Sequence, residues 1–308
     1  MIDVKTLICL WVAQGFIALV GPRRCFEDIG KEYFMELLWR SFFHNVENDG
    51  LGNIKSCKMH DLMHDLAILV GGKESTMLNL SGENIDEKVC HVSFDLVDSS
   101  SQFPILMLKG KKIRTILSSS VRGSLGSLTC DALISHLNYL RTLDLSNLWL
   151  SVVPHSIGEL KHLRYLDHSK NEDIKILPNS ITKLLNLQTL KLIGCNSLRE
   201  LPRGIKKLVN LRHLDISCCR RLTHMPLGLR HLTSLEILPR FVVSQEGFNA
   251  QSSCGWCKTK KATSSGGLSE LKELSNLGGR LRIENLGHKK DDMVECKATN
   301  MKEKQHLQ

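Results

Sequence analysis

The sequence is poor in aromatic residues, lacks an apolar run long enough to cross a membrane, and lacks a dense cysteine framework. Aromatic side chains make up only 5% of the 308 residues, so the core is expected to consist mostly of leucine and isoleucine. Residues 7–20 are nearly all apolar, but a bilayer span needs roughly 20 residues. The 11 cysteines are scattered and odd in number, which predicts reduced thiols. A composition of 42% apolar and 24% charged residues excludes long disorder, collagen and coiled coil.

Charge is distributed unevenly along the chain. Residues 1–80 contain 8 basic and 10 acidic side chains, whereas residues 81–308 contain 33 and 22. A protein that reads duplex DNA presents a basic surface to the phosphates, so the acidic first part disfavours nucleic-acid binding. Opposite charges predict that the two parts dock, and the alternative is a flexible connection near residue 71. The expected ion pairs join Glu32 and Glu36 to Lys111, Lys112 and Arg114.

A repeat of 23 or 24 residues organises the second part of the chain. The pattern L-x-x-L recurs five times, at Leu140, Leu163, Leu187, Leu211 and Leu235. Each of the first four copies continues to a proline and then to two apolar residues at three-residue spacing. One coil cannot bury its own apolar side, so registered copies must stack. The sequence therefore predicts an α/β fold in which a leucine-rich repeat solenoid has a curved parallel sheet, with regular repeats at about 140–240.

Each repeat assigns a place to its side chains, because alternate strand residues point inward and outward. An Asn or Cys eight residues after the opening leucine can bond the turn that leaves the strand. Asn171, Cys195 and Cys219 have this position, and Leu148 takes it in the first copy. His168 takes an inward leucine position and is expected to be a hydrogen-bonded core histidine. The outward positions predict a concave face that binds a partner: Thr142, Asp144, Tyr165, Asp167, Thr189, Lys191, His213 and Asp215.

Weaker patterns flank the regular repeats. Residues 89–94 and 113–117 predict strands of irregular early coils, and residues 281–286 predict a late one. Residues 248–267 are polar and rich in Gly, Ser and Lys, which predicts a loop in which Cys254 and Cys257 are free thiols. The sequence ends without a polar capping repeat, so we expect a truncated C-terminus.

The first part of the chain predicts a helix, a helix, a hairpin and a helix. Apolar residues recur at helical spacing over residues 2–16, 27–43 and 59–70, and residues 44–58 are polar with Asp49-Gly50 as a turn signal. This order predicts a small winged-helix lobe. We place the lobe at residues 1–76 and the repeats at residues 77–308.

Three segments of the first part resemble plant nucleotide-binding leucine-rich-repeat immune receptors of the coiled-coil class. They are residues 7–17 (LICLWVAQGFI), residues 27–43 and the Met59-His60-Asp61 motif. The resemblance extends through the repeats and covers nearly the whole chain. It implies the winged-helix end of an ADP/ATP switch, a role in plant defence in the cytoplasm, and Met59, His60 and Asp61 as nucleotide-binding residues. It also implies protein partners: a pathogen effector, a guarded host protein or the chain's own switch domain.

The chain departs from that family in one important respect. It has no G-x-x-x-x-G-K-[ST] loop, and a single histidine cannot replace a phosphate cradle, so we expect no cofactor, no catalysis and lost nucleotide switching. His60 and His64 lie four residues apart, yet no third ligand is evident, so no metal site is expected. Two alternatives stay open. The chain is a secreted repeat protein if residues 7–20 serve as a signal peptide, or part of a full-length switching receptor whose gene was divided wrongly.

Overall fold

A computed structural model of the chain describes residues 1–18, 24–50, 52–78, 85–95, 112–119, 125–244 and 265–285. It has the predicted α/β architecture, in which a small winged-helix lobe precedes a solenoid with a parallel sheet. No helix within the described ranges is both long enough and apolar enough to cross a membrane.

The lobe contains the predicted helix, helix, hairpin and helix. Its elements are β1 (Ile2–Asp3), α1 (Val4–Gln14), α2 (Phe26–Trp39), β2 (Phe43–Asn48), β3 (Ile54–Met59) and α3 (Asp61–Gly71). The Asp3 side chain caps α1 by accepting a hydrogen bond from the Thr6 amide at 2.7 Å. Gly15 ends α1 with a φ of 86°, a left-handed conformation that favours glycine. The second helix ends four residues earlier than predicted, because Phe43 enters the hairpin instead.

The lobe has its own apolar core, which excludes α3. Val4, Ile8 and Val12 of α1 pack in this core with Phe34 and Phe43, whose rings stack at 5.3 Å. None of the residues of α3 is buried, and its apolar side chains Leu62, Leu66, Ile68, Leu69 and Val70 are exposed. Helix α1 therefore lies at the centre of the lobe, and α3 lies at its edge.

Seven parallel strands form the sheet of the solenoid and follow one another in chain order. They are β4 (Ser75–Leu78), β5 (His91–Phe94), β6 (Thr115–Ser118), β7 (Thr142–Asp144), β8 (Tyr165–Asp167), β9 (Thr189–Lys191) and β10 (His213–Asp215). The early strands predicted at 89–94 and 113–117 are thus confirmed as β5 and β6. Strand β4 was not predicted, and it crosses the boundary that we place at residue 76. The opposite side of the coils carries α4 (Ser127–His136) and 3-10 helices that start after the prolines: His155–Glu159, Asn179–Lys183 and Arg203–Lys207.

The stack of coils continues past the regular repeats. Strand β12 (Arg240–Val242) pairs in parallel with β14 (Arg282–Glu284), and β11 (Met225–Pro226) pairs antiparallel with β13 (Ser265–Gly266). The late coil predicted from residue 281 is therefore present. Most of the polar loop predicted at 248–267 lies outside the described residues, but its end is strand β13 rather than loop. The predicted truncated C-terminus lies outside the described residues.

The ladder positions hold the turns of neighbouring coils together, as the repeat predicts. The Asn171 Oδ1 atom accepts hydrogen bonds from the Leu148 and Leu150 amides, both at 3.0 Å. The Cys195 and Cys219 thiols donate to backbone carbonyls of the preceding coils at 3.2 and 3.0 Å. These groups are buried, so each bond satisfies a backbone atom that water cannot reach.

His168 occupies an inward position, but it is not the hydrogen-bonded histidine that the sequence suggests. Its side chain is fully buried, and neither ring nitrogen has a hydrogen-bond partner. Burial lowers the pKa of His168 to about 4, so the ring is neutral at physiological pH. An inward leucine position therefore contains a buried imidazole whose lost hydrogen bonds to water are not replaced by hydrogen bonds within the protein.

Candidate functional site on the concave face

Parallel register brings the eight predicted outward side chains together on one face of the sheet. Thr142, Tyr165, Thr189 and His213 lie opposite one another in one column. The second column contains Asp144, Asp167, Lys191 and Asp215. We call these two columns the concave face. Six of the eight residues are buried, and only Asp144 and Asp215 remain partly accessible.

Helix α1 of the lobe covers this face, and its C-terminal end is held by hydrogen bonds. The Gln14 amide nitrogen donates to the hydroxyls of Thr115 and Thr142 at 2.8 and 2.9 Å. The Arg141 guanidinium donates to the Gln14 carbonyl at 3.2 Å, and that of Arg164 donates to the carbonyl of the preceding residue at 3.4 Å. The last carbonyls of a helix lack partners within the helix and carry partial negative charge, so two arginines suit this end of α1.

The N-terminal half of α1 contacts the far end of the concave face. The Lys191 ammonium donates to the Thr6 hydroxyl at 2.5 Å, and the Cys9 Sγ atom lies 3.2 Å from His213 Nδ1. The Arg212 guanidinium lies over the ring of Phe26, 4.3 Å from its centroid, in the cation–π geometry. The lobe therefore contacts the solenoid through α1 and the start of α2.

Two carboxylates lie close together in the second column. Burial and the neighbouring Asp167 charge raise the pKa of Asp144 to about 7. The Tyr165 hydroxyl donates to Asp167 Oδ2 at 2.9 Å, and the Ser169 amide donates to Oδ1 at 2.8 Å. These bonds hold Asp167 in the floor of the face, beside Lys191.

Cys9 and His213 form a pair of titratable groups with shifted pKa values at this contact. Burial alone would lower the pKa of His213, but the Cys9 thiol and the Asp215 carboxylate raise it to about 9. Burial alone would raise the pKa of Cys9, but His213 and then Lys191 lower it overall. Both shifts favour a thiolate beside an imidazolium.

The lobe docks on the solenoid, but not through the ion pairs that net charge suggests. Glu32 pairs with Arg24, and Glu36 pairs with Arg40 at 2.6 Å, so both acids have partners within the lobe. Arg114 is exposed, and Lys111 lies outside the described residues. The predicted pairing with Arg114 is wrong because the exposed acids have nearer partners within the lobe, while the contact uses hydrogen bonds from α1.

The Met59-His60-Asp61 motif lies at the start of α3, away from these contacts. The His60 side chain caps the helix, because its Nδ1 atom accepts a hydrogen bond from the Leu62 amide at 3.3 Å. The Asp61 carboxylate accepts from Lys58 at 3.3 Å, and this bond lowers the pKa of Asp61. A nucleotide role for Met59, His60 and Asp61 stays a prediction.

Two further candidates from the sequence supply no site in the described part of the chain. No group of three His, Cys, Asp or Glu side chains that could bind a metal occurs in the ranges that the structure describes. Cys254 and Cys257 lie outside those ranges. The cysteines within them are all free thiols: Cys9, Cys25, Cys57, Cys90, Cys130, Cys195, Cys218 and Cys219.

Sequence reasoning missed the residues that make the contact from both sides. Cys9 and Gln14 lie in an apolar helix, and the resemblance of residues 7–17 assigned them no contact with the repeats. The arginines carry a signal that could have been used, because Arg141, Arg164 and Arg212 each follow the opening leucine of a repeat. A charge that recurs at one repeat position forms a column beside the strands.

Comparison with known proteins gives the same two parts. Residues 1–67 match the disease resistance protein winged-helix domain, and residues 120–308 match the leucine-rich repeat region. The putative disease resistance protein RGA1 of Solanum bulbocastanum is 34% identical over 173 residues, which are 56% of this chain and 14% of that protein. The disease resistance protein RPP13 of Arabidopsis thaliana is 33% identical over 174 residues, 54% of this chain and 19% of that protein.

Solved structures of repeat proteins are more distant. A leucine-rich repeat protein of Leptospira interrogans is 18% identical with a TM-score of 0.44, and the match covers 76% of this chain and 61% of that one. The chain spans less than a fifth of the length of RGA1 and RPP13. The repeat match extends over more than half of the chain, and the winged-helix match precedes it. The chain therefore belongs to the leucine-rich repeat family, and its first 67 residues match the winged-helix domain of disease resistance proteins.

Proposed function

We propose that this chain serves in a cytoplasmic plant defence receptor, where its leucine-rich repeats act by binding protein rather than by catalysis. The relatives named as disease resistance proteins support the defence role, and the free thiols support a reducing compartment. The concave face binds the receptor's own winged-helix lobe in the resting state. A pathogen effector or a guarded host protein is the partner that would compete for this face.

The observation that carries the proposal is the burial of the concave face by α1. Tyr165, Thr189, Lys191 and His213 are each at most 5% exposed, although they occupy the side of the sheet that solenoids use for binding. A second protein cannot reach these side chains while α1 covers them. Binding of a partner to the concave face and docking of α1 on it are therefore mutually exclusive. A partner that binds there shifts the equilibrium towards the released lobe.

Nucleotide chemistry forms no part of the activity that we propose for this chain alone. A hydrogen bond from one histidine to a charged phosphate contributes about 1.5–3 kcal/mol, whereas micromolar binding needs about 8 kcal/mol. His60 already uses one ring nitrogen to cap α3. In a longer receptor, Met59, His60 and Asp61 would contact ADP only beside a phosphate loop.

Hydrogen exchange on the full 308-residue chain tests the docked arrangement. The variant carries Arg141→Ala and Arg164→Ala, which remove both guanidinium bonds to the end of α1. We expect the amides of α1 to exchange at least about tenfold faster, which corresponds to about 1.4 kcal/mol of lost stabilisation. The solenoid amides should be unchanged.

The matched control replaces two exposed arginines that do not contact α1, Arg199→Ala and Arg203→Ala. It removes the same charge from the solenoid and should leave exchange in α1 as in the parent chain. If both double variants leave exchange unchanged, or if α1 is unprotected in the parent chain, α1 does not dock on the concave face and the proposal is wrong.

A further inference from the structure

A nucleophile, a base and an acid meet at the contact between the lobe and the solenoid. Cys9 Sγ of α1 lies 3.2 Å from Nδ1 of His213 on β10, and the other ring nitrogen lies 3.9 Å from Asp215 Oδ2 on the same strand. The three residues come from two parts of the chain and meet only when α1 is docked. The proposed binding role uses none of this chemistry.

The surroundings of Cys9 favour its thiolate form. The imidazole of His213 stands against the sulfur, Asp215 stabilises the charged imidazole, and Lys191 contributes a second positive charge. The thiolate is the reactive form of cysteine, and positive neighbours increase its population near neutral pH. The other charged groups that face this contact are Lys5 of α1, Glu27 of α2, and Arg212 and Glu236 of the solenoid.

A cleft between the lobe and the solenoid leads to Cys9. The cleft has a volume of about 430 Å³ including its open mouth. Cys9 lines it with Lys5, Phe26 and Glu27 on the lobe side. Cys9 is partly buried, so the cleft is the side from which a small oxidant or alkylating agent would approach it.

We propose that Cys9 is a modification site for peroxides, and that its oxidation releases α1 from the concave face. The inference rests on the proposed function only in taking the docked arrangement as the resting state. The oxidant is hydrogen peroxide or an organic hydroperoxide. The product is a sulfenic acid, the first and reversible step of cysteine oxidation.

The reaction is balanced by groups that the contact contains. The Cys9 thiolate attacks one peroxide oxygen, a sulfur–oxygen bond forms, and the oxygen–oxygen bond breaks. Sulfur loses two electrons and the peroxide gains them, so hydroxide or alkoxide leaves. The imidazolium of His213 donates its proton to this leaving group, which departs as water or an alcohol.

Oxidation weakens the docked contact in two ways. It converts a thiolate and an imidazolium into two neutral groups, so their mutual attraction is lost. It also adds an oxygen to a sulfur that already stands 3.2 Å from the ring, where no free space separates them. The added atom enlarges the side chain at the centre of the contact, which works against close packing of α1 on β10.

Competitive alkylation of the full chain tests the reactivity. Iodoacetamide labelling is followed by mass spectrometry at about pH 8.5 and about pH 6.5, with exposed Cys218 as a reference thiol in the same molecule. We expect the ratio of Cys9 to Cys218 labelling to rise at least about fivefold at the lower pH, because the Cys9 thiolate persists. His213→Gln should remove this rise. If His213→Gln itself exposes α1, the variant Asp215→Asn is used in its place and should reduce the rise. A ratio that does not change with pH overturns the reactivity.

Peroxide treatment followed by hydrogen exchange tests the release. One added oxygen on Cys9 should coincide with faster exchange in α1, dithiothreitol should reverse both, and Cys9→Ser should show neither. If α1 is unprotected before peroxide is added, the docked arrangement itself is wrong, and the proposed function fails with it. If α1 is protected and stays protected after Cys9 is oxidised, only the present inference fails.

Discussion

Replacement of His168 by leucine should stabilise the protein. His168 takes the inward position that Leu145, Leu192 and Ile216 take in the neighbouring coils, all of them fully buried. Its two ring nitrogens lost their water on folding and gained no partner. A buried polar group without a hydrogen bond costs about 1–3 kcal/mol, so His168→Leu should raise the free energy of unfolding by about that amount near pH 7.5.

The stabilisation should grow as the pH falls. The pKa of His168 is about 4 in the folded chain, against 6.5 for an ordinary histidine. Between these values the unfolded chain binds a proton that the folded chain does not. The free energy of unfolding is therefore highest, as far as His168 is concerned, above pH 6.5, and it falls as the pH drops towards 4. Near pH 5 this loss amounts to about 2 kcal/mol, and it is absent from the leucine variant.

Urea unfolding at about pH 7.5 and about pH 5 measures both effects. Asp144, whose pKa is about 7, also titrates across this range, so the quantity to compare is the difference between parent and variant at each pH. The control is His155→Leu at an exposed site, which should change stability by less than about 0.5 kcal/mol at both values. An equal gain at both pH values would show that His168 is not the buried neutral base. A loss near pH 7.5 would show that its nitrogens have partners.

Three further outcomes can be measured on the same chain. Gly158→Ala should lower the free energy of unfolding by about 1–3 kcal/mol, because its Cβ would lie 2.8 Å from a backbone carbonyl oxygen of the next coil. The control Gly71→Ala has open space around the added Cβ and should leave the free energy of unfolding unchanged. Asn171→Ala should cost about 3 kcal/mol by leaving two buried amides without an acceptor, whereas exposed Asn186→Ala should cost under about 1 kcal/mol. Calorimetry with ADP and Mg²⁺ should show no binding up to about a millimolar, and a micromolar isotherm would refute the reading of the lobe.

The sequence was sufficient for the parts of the fold that repeat or that are local. The 24-residue period defined the strands, the prolines and the ladder residues such as Asn171 and Cys195, because every coil meets the same environment. Strand β4 escaped prediction because it lies before the first recognisable repeat and has no leucine pattern. The lack of a hydrogen-bond partner for His168 was not predicted, because a sequence shows that a polar residue lies in the core but not whether a partner lies next to it.

The contact between the two parts could not be predicted in the same way. Cys9 and His213 are separated by 204 residues, and Gln14 and Thr142 by 128. No periodicity relates such positions, and net charge pointed to Glu32 and Glu36, which have partners within the lobe. Net charge describes attraction at a distance, whereas the docked contact consists of short hydrogen bonds that depend on shape.

The apolar character of residues 7–14 has a physical explanation in that contact. A helix that is apolar on nearly all sides is usually buried on nearly all sides. Val4, Ile8 and Val12 of α1 face the core of the lobe, and the opposite side of the helix faces the concave face of the solenoid. The few polar residues of α1 are informative, because Thr6 and Gln14 both bond to solenoid side chains. Residues 7–14 of the segment that resembles a signal peptide in composition are therefore part of a helix enclosed between two parts of one chain, and the polar residues of this helix bond to the solenoid.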